Sequence, residues 1–343
     1  MIKITARPYF YSFLILFLIL GLSIAVGSVT IPFDVLLKLF ASRLSPQFSL
    51  SGELQRYATI IFDLRLPRTL LIAFTGAALA GSGGAYQGLF RNPLADPYLI
   101  GVASGAGLGA VTAMAIQWPD QISGMFFIPA AAFLGALITV FLVYQLARVR
   151  NSIPTSNLIL AGVAISAFAS ALTSFLMLHS TDELRRAIVW LMGGAAMSGW
   201  KPVLTLLPYL FIGLTFLILQ GHKLNILQFG DEQAQQMGLQ VSRARRSIVI
   251  TASLTTAAAV AFSGTIGFIG LVVPHIVRMI WGGDYRRLIP ISIINGASML
   301  LIADILSRIV IAPQELPVGI ITALGGAPFF LWLLKRSKQQ NYW

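Results

Sequence analysis

The sequence predicts an all-α integral membrane protein of about ten transmembrane helices, and three observations carry that reading. Of 343 residues, 57% are hydrophobic and only 10% charged, with a mean hydropathy of +0.81. Soluble domains carry roughly 25% charged residues, and a single soluble core stops growing at roughly 250–300 residues, so a water-soluble fold is excluded. The apolar residues also fall in runs near the roughly 20 residues that a bilayer-spanning helix requires. Finally, one long polar stretch, Gly221 to Arg246 (GHKLNILQFGDEQAQQMGLQVSRARR), interrupts the apolar pattern. The chain reads as a single transmembrane domain, 1–343. Within it, 1–58 hold the first span plus an outer amphipathic segment, and 221–246 form a cytoplasmic loop.

Lys3 and Arg7 precede an apolar run from Tyr9 to about Val29. The run exceeds the roughly 7–15 residues of a signal-peptide core, so it reads as a retained first span with the N-terminus inside. In 32–58, Phe33, Leu36, Leu37, Phe40 and Leu44 recur at helical spacing opposite Asp34, Lys38 and Arg43. That pattern predicts an outer amphipathic helix packed against other helices. Further spans follow at about 66–88, 98–117, 125–147, 157–178, 202–220, 247–264, 266–282, 288–312 and 317–334. An even number returns the C-terminus to the cytoplasm. The expected inner segments hold the larger share of Lys and Arg, including Arg91, Arg148, Arg150, Lys223, Arg243, Arg245, Arg246, Arg286, Arg287, Lys335, Arg336 and Lys338. That bias supports the orientation, although Arg65, Arg68, Arg185 and Arg186 on the outer side require their own explanation. Residues 179–200 are too polar at their start to span. They read either as a half-helix buried through Trp190, Leu191 and Met192 or as an interfacial helix with a tryptophan anchor. The hexapeptides 78–83 and 259–264 share an A-x-A-x-S-G pattern, as inverted-repeat halves would; in a chain this rich in Gly and Ala, chance produces such echoes too.

Composition and motifs exclude several functions. No cysteine is present, which removes disulfide, thiolate-metal and thiol chemistry. The net charge of +12 serves membrane topology, because no basic segment is interleaved with stacking aromatics as nucleic-acid binding would need. His179, His222 and His275 are scattered and make no HExxH pair, and no GxxxxGK[ST] phosphate loop exists. Any ATP-driven role therefore needs a second polypeptide to hydrolyse the nucleotide. Gly101, Gly105 and Gly109 share a helical face that lets another helix approach closely. Gly264, Gly267 and Gly270, followed by Pro274, mark a bend between the seventh and eighth spans. Asp304 is an intramembrane carboxylate and so a functional candidate, but Arg308 lies one turn on and can neutralise it locally. In the polar stretch, Gly230 and Gly238 bracket DEQAQQM, a two-turn helix with Asp231 and Glu232 at its positive end and Gly238 as its C-terminal cap. From the residues alone this is either a solvated connector with a basic topology anchor or a docking helix.

Several segments taken together resemble one family. They are DLRLPRTL (63–70), YQGLFRNPLADPYLIGVASGAGLG (86–109), NLILAGVA (157–164), WLMGG (190–194), LNILQFGDEQAQQMGL (224–239), SGTIGFIGLVVPHIVRMI (263–280), DYRRLIP (284–290) and ELPVGIITALGGAPFFLWLL (315–334). With them the chain resembles the permease subunits of bacterial ABC importers for iron chelates and cobalamin, the FecCD type, from about residue 60 to the end. The resemblance implies ten spans, a second permease subunit of the same or a related chain, and both termini in the cytoplasm of a cell with the permease in its inner membrane. It implies no cofactor on this chain, ATP and Mg being held by a partner ATPase dimer. It makes 221–246 a coupling loop between spans six and seven, with Leu224, Gly230, Asp231, Glu232, Ala234 and Gly238 matching the motif; Phe229 and Met237 stand where leucine is usual. It makes Arg65, Arg68 and Arg308 docking residues for an extracytoplasmic substrate-binding protein, and Thr155 and Ser156 a constriction at the cytoplasmic end of span five. The expected cargo is a ferric siderophore, with haem or cobalamin as alternatives. An ion-coupled secondary transporter is the competing class, and the poverty of intramembrane charge weighs against it.

Overall fold

The computed structural model describes residues 6–27, 31–44, 52–116, 120–149, 153–179, 183–195, 197 and 199–340. Lys3 and Arg150 lie outside them, as do the side chains of Phe33, Phe40, Arg43, Leu44, Arg336 and Lys338. The chain folds as helices. The first is α1 (Arg7–Ala25), followed by the amphipathic α2 (Phe33–Leu44) and α3 (Glu53–Thr59). A π-helical turn, Ile60–Arg65, then leads without interruption into α4 (Leu66–Phe90). Next come α5 (Val102–Ala115), α6 (Asp120–Ala147), α7 (Thr155–His179), α8 (Leu184–Leu191) and α9 (Trp200–Leu219). The expected loop holds two short helices, α10 (Gly221–Leu227) and α11 (Asp231–Gln236). The chain closes with α12 (Val241–Ser263), α13 (Ile269–Trp281), α14 (Tyr285–Ile309) and α15 (Val318–Gln340).

By length and composition, seven helical stretches among the described residues can cross a membrane: α1, the α3–α4 run, α6, α7, α9, α12 and α14. Shorter apolar helices, α5, α13 and the apolar part of α15, occupy the other expected spans. The bundle is organised around α4, which packs against α14, α12, α13 and α9 and is buried along nearly its whole length. Small residues make this possible. A side chain at Gly76 would strike the carbonyl of Gly296, so α4 and α14 touch backbone to backbone. Gly105 and Gly109 do the same for α5 against Gly135 and Ala131 of α6. Gly101 faces Thr139 of α6 as Gly105 does, and with φ +84° it is also the residue that caps α5. In contrast, α1, α6, α7 and α9 turn most of their apolar surface outward, as helices facing lipid do.

Two of the shorter helices explain a departure from the expected spans. At 1.5 Å per residue, α5 and α13 are only about 20 Å long, against about 30 Å of bilayer core. They are short because both start deep in the bundle. Pro97, in the turn leading to α5, and Leu79, midway along α4, both flank Gly270 in the first turn of α13. The Tyr98 hydroxyl donates to the Ile266 carbonyl (2.9 Å) and lies 3.1 Å from the Ile266 N–H that donates to it. A single phenol thus satisfies irregular backbone at a depth where water does not. Each half of the chain therefore runs long buried helix, break, short helix (α4 to α5, α12 to α13). The A-x-A-x-S-G echo is not in matching register, since 78–83 lie mid-helix in α4 while 259–264 end α12.

The 179–200 segment takes the half-helix form. Ala187 and Trp190 of α8 are buried, the Thr265 hydroxyl donates to the Leu191 carbonyl, and Gly194 N–H donates to the Ser263 carbonyl at 2.7 Å. Met192, expected to be buried, is instead exposed. In α2 the inward face is Leu36 and Leu39, which form a small separate core with Ile31, Ala58 and Ile61. Leu37 points outward, because the run of apolar residues in LLKLF is wider than the face that packs.

Candidate coupling site

The C-terminal end of α4 carries the loop. From α10, Leu224 and Leu227 are buried against the bundle, and the Gln228 amide donates to the carbonyl of Gly88 at 2.9 Å. Asn225 and the start of α14 hold each other reciprocally. The Asn225 amide donates to Asp284 (2.6 Å), and its oxygen accepts from Tyr285 N–H (2.8 Å). Asp284 also caps α14 by accepting from Arg286 N–H and pairs with the Arg286 guanidinium at 2.9 Å. The Arg286 hydrogen bond, with help from Asn225, pulls the Asp284 carboxyl down to about 2.

Beyond Gly230 (φ +100°) the chain turns into α11, whose first turn holds Asp231 and Glu232. It ends as expected. Gly238 (φ +83°) donates to the Gln235 carbonyl at 2.9 Å, and Leu239 N–H donates to that of Ala234 at 3.0 Å, the paired bonds of a Schellman cap. Ala234 and Leu224 are fully buried, so these two expected coupling residues position the loop and do not present a surface. Outward are Glu232, Gln233, Gln235 and Gln236, together with Phe229 (63% exposed) and Met237 (49%). Two large apolar side chains are thus exposed beside four polar ones on this loop.

Asp231 is not free. Its carboxylate pairs at 2.7 Å with Arg245, a buried residue of α12 whose guanidinium also donates to the Ile153 carbonyl at 3.2 Å. Ile153 stands two residues before Thr155, the first residue of α7; Thr155 is half-buried and Ser156 exposed. The Arg243–Arg246 cluster reads in sequence as a topology anchor, and Arg245 is hidden in it. The available signal is the stripe Val241, Ala244, Arg245, Ile248, which shares one helical face and is buried, while Arg243 and Arg246 point outward.

The other end of α4 lies about 30 Å away along the helix and holds a charged cluster. Arg68 pairs with Asp304 (2.9 Å) and Glu315 (2.6 Å), and Arg308 pairs with Asp304 (3.1 Å). Arg308 also donates to the carbonyls of Ser23 (3.1 Å) and Val26 (2.7 Å), and Arg65 to those of Ile24 (3.0 Å) and Ala25 (2.8 Å). The expected Arg308–Asp304 pairing is therefore present, and Arg65 and Arg308, expected at a docking surface, are turned inward. They are 7% and 3% exposed because the last carbonyls of α1 have no helical partners and take up both guanidinium groups. Arg68 and Glu315 keep access to solvent.

A bundle of apolar helices, with an exposed polar loop at one end and a charged cluster at the other, suits a membrane permease. Among the described residues no cluster of His, Asp or Glu could hold a metal ion. The chain belongs to the FecCD transport family, whose sequence profile matches residues 14–336, and it is a permease of the ABC importer class, a non-enzymatic membrane component. It is 42% identical to an uncharacterized ABC transporter permease protein of Bacillus subtilis, over 95% of this chain and 92% of that one. It is 43% identical to a cobalamin import system permease of Halobacterium salinarum (91% and 82%) and 42% identical to a hemin transport system permease of Yersinia pestis (82% and 85%). Among solved structures it resembles a metal-chelate type ABC transporter in an inward-facing conformation, with TM-score 0.81, 30% identity, and coverage of 95% and 98%. Permeases of this family work with an ATPase and a substrate-binding protein.

Proposed function

We propose that this chain is the membrane subunit through which a separate ATPase dimer drives a bulky metal chelate into the cytoplasm, and that the α10–α11 loop is where the ATPase docks. The carrying observation is α11 itself: a helix latched by Arg245 at its N-terminus and by its Gly238 cap, with Glu232, Phe229 and Met237 turned outward. ATP and Mg belong to the partner. A second permease subunit completes the pathway, Thr155 and Ser156 narrow it at the cytoplasmic end, and a binding protein delivers cargo at the opposite end. Arg68 is the docking cation there: although it pairs with Asp304 and Glu315, its side chain is 22% exposed, whereas Arg65 and Arg308 are buried against α1. Both termini lie in the cytoplasm, with the chain in the cytoplasmic (inner) membrane. A ferric siderophore is the first cargo to test; the named relatives of the chain handle cobalamin and hemin.

The test is uptake by vesicles reconstituted with the permease, its cognate ATPase and its binding protein, against ferric siderophores, haem and cobalamin. ATP-dependent accumulation of one of them is expected. Uptake that needs an ion gradient and no ATPase would overturn the proposal.

A further inference from the structure

Permeases of this kind must carry a displacement from the surface the ATPase touches to the pathway. We propose that Arg245 is the positioning residue that does so: a strut tying the N-terminal turn of α11 to the backbone that enters α7, so that movement of α11 reaches Thr155 and Ser156. The inference rests on the ATP-driven reading above. Three observations carry it. The Arg245 guanidinium bridges elements far apart in sequence, with one nitrogen 2.7 Å from Asp231 Oδ1 and the other 3.2 Å from the carbonyl oxygen of Ile153. Its side chain is 10% exposed whereas that of Asp231 is 41% exposed, so it is buried beneath α11 and reaches outward to it. Lastly, the backbone it grips passes straight into Pro154, which has no N–H to donate. The first hydrogen bond of α7 then forms from Leu158 N–H to the Pro154 carbonyl at 3.2 Å.

The geometry requires arginine. A planar guanidinium presents a rigid fork of donors, whereas a lysine ammonium is a single point on a flexible stem. The bond to Asp231 is charge-assisted and short, and so among the stronger kinds of hydrogen bond. The bond to Ile153 is longer and neutral at its acceptor. A pull on α11 therefore carries the guanidinium with Asp231 and loads the Ile153 contact, one residue before the helix-initiating Pro154. Arg243 and Arg246 flank the strut on the exposed face and serve as controls that remove the same charge from the same end.

The chain contains no cysteine, so Ser156→Cys supplies a single reporter near the proposed constriction. The permease carrying it is assembled with its cognate ATPase in lipid nanodiscs. Labelling by a membrane-impermeant maleimide is timed without nucleotide and after incubation with ATP and vanadate, which traps ADP on the ATPase. In the parent, nucleotide changes the labelling rate. Arg245→Gln and Asp231→Asn each reduce that change by roughly two- to thirty-fold, the range expected when a physical link between two sites is cut. The double variant is no worse than the larger single, because both remove one link. Arg245→Lys does not rescue, and Arg246→Gln responds as the parent does. A parent-like response in Arg245→Gln, or an equal loss in Arg246→Gln, overturns the strut. If Arg245→Gln fails to assemble, Asp231→Asn decides alone, and a parent-like response there overturns it. No nucleotide response in the parent would overturn the ATP-driven reading and the strut with it.

Discussion

Asp304 is the most consequential carboxylate in the bundle, and its replacement by asparagine tests how the charged cluster is held together. The residue is fully buried, with Arg68 at 2.9 Å and Arg308 at 3.1 Å. Arg68 retains Glu315 at 2.6 Å if Asp304 is neutralised, and its own side chain is 22% exposed. Arg308 has less reserve of charge: Glu315 acts on it without direct contact, its side chain is 4% exposed, and its remaining hydrogen-bond partners are carbonyl and hydroxyl oxygens of Ser23, Val26 and Asp304 itself. Removing one member of a buried pair costs about 3–5 kcal/mol, chiefly because the other charge stays buried and uncompensated. Asp304→Asn should lose about that much. Glu315→Gln removes a carboxylate that is 40% exposed and should lose less than about 1 kcal/mol.

The assay is unfolding of the purified permease in mixed micelles, titrated with sodium dodecyl sulfate and followed by tryptophan fluorescence. A further arm separates charge from packing. Asp304→Leu combined with Arg308→Met removes both charges together and should recover most of the loss, since a buried pair replaced by apolar groups is often neutral. A loss below about 1 kcal/mol for Asp304→Asn, or equal losses for Asp304→Asn and Glu315→Gln, would refute the reasoning.

Other predictions concern the breaks and caps. Tyr98→Phe removes the hydroxyl that both donates to and accepts from Ile266, leaving two backbone groups unpaired in the interior; it should cost about 1–3 kcal/mol in the same titration. Gly238→Val forces a branched side chain into φ +83° and should cost about 1–2 kcal/mol, read as faster hydrogen exchange confined to 231–239. Asp284 has a carboxyl depressed to about 2, below the ordinary 3.8 of an unfolded chain. Its contribution is therefore complete above pH 4 and lost as pH falls through 2. Screening at this partly exposed site limits it to about 1 kcal/mol. Asp284→Asn should flatten the acid limb of a stability–pH profile by that amount; an unchanged acid limb would refute the assignment.

How much of this was legible beforehand depends on the range of the physics involved. Apolar runs report lipid or core surroundings residue by residue, so each expected span has a helix within it. The α11 helix was legible too, because Gly230, Asp231, Glu232 and Gly238 act on their own neighbours. The deep starts of α5 and α13 were not, because they depend on Tyr98 meeting Ile266 and Pro97 meeting Gly270 across the fold. Phe268, with φ +70° at the start of α13, offers no hint in its side chain that it adopts a glycine-like conformation. The directions of the arginine side chains were hidden for a similar reason. A positive charge near a helix end says nothing about direction; it was the unpaired carbonyls of α1 that turned Arg65 and Arg308 inward, and Asp231 with Ile153 that hold Arg245.

Both clusters sit on the same pair of helices, and this limits which parts of the molecule can move. Gly88 and Arg68 stand at opposite ends of α4, and Asp284 and Asp304 toward opposite ends of α14. Between them the two helices touch at Gly76 and Gly296, where no side chain intervenes. Backbone packed on backbone has little slack, since any sliding forces atoms into contact rather than shifting a flexible side chain. The α4–α14 pair is thus the rigid member, fastened to α10 by Gln228 and Asn225 and to α1 by Arg308. In contrast, α11 is fastened through Arg245 to α12 and to the entry of α7, and α7 turns most of its surface away from the core. On the proposed strut, a load applied at α11 divides at Gly230 (φ +100°), between α10 and α11. One part meets the rigid pair, and the other, through the proposed strut, reaches α7, a helix that like α1 turns most of its surface away from the core.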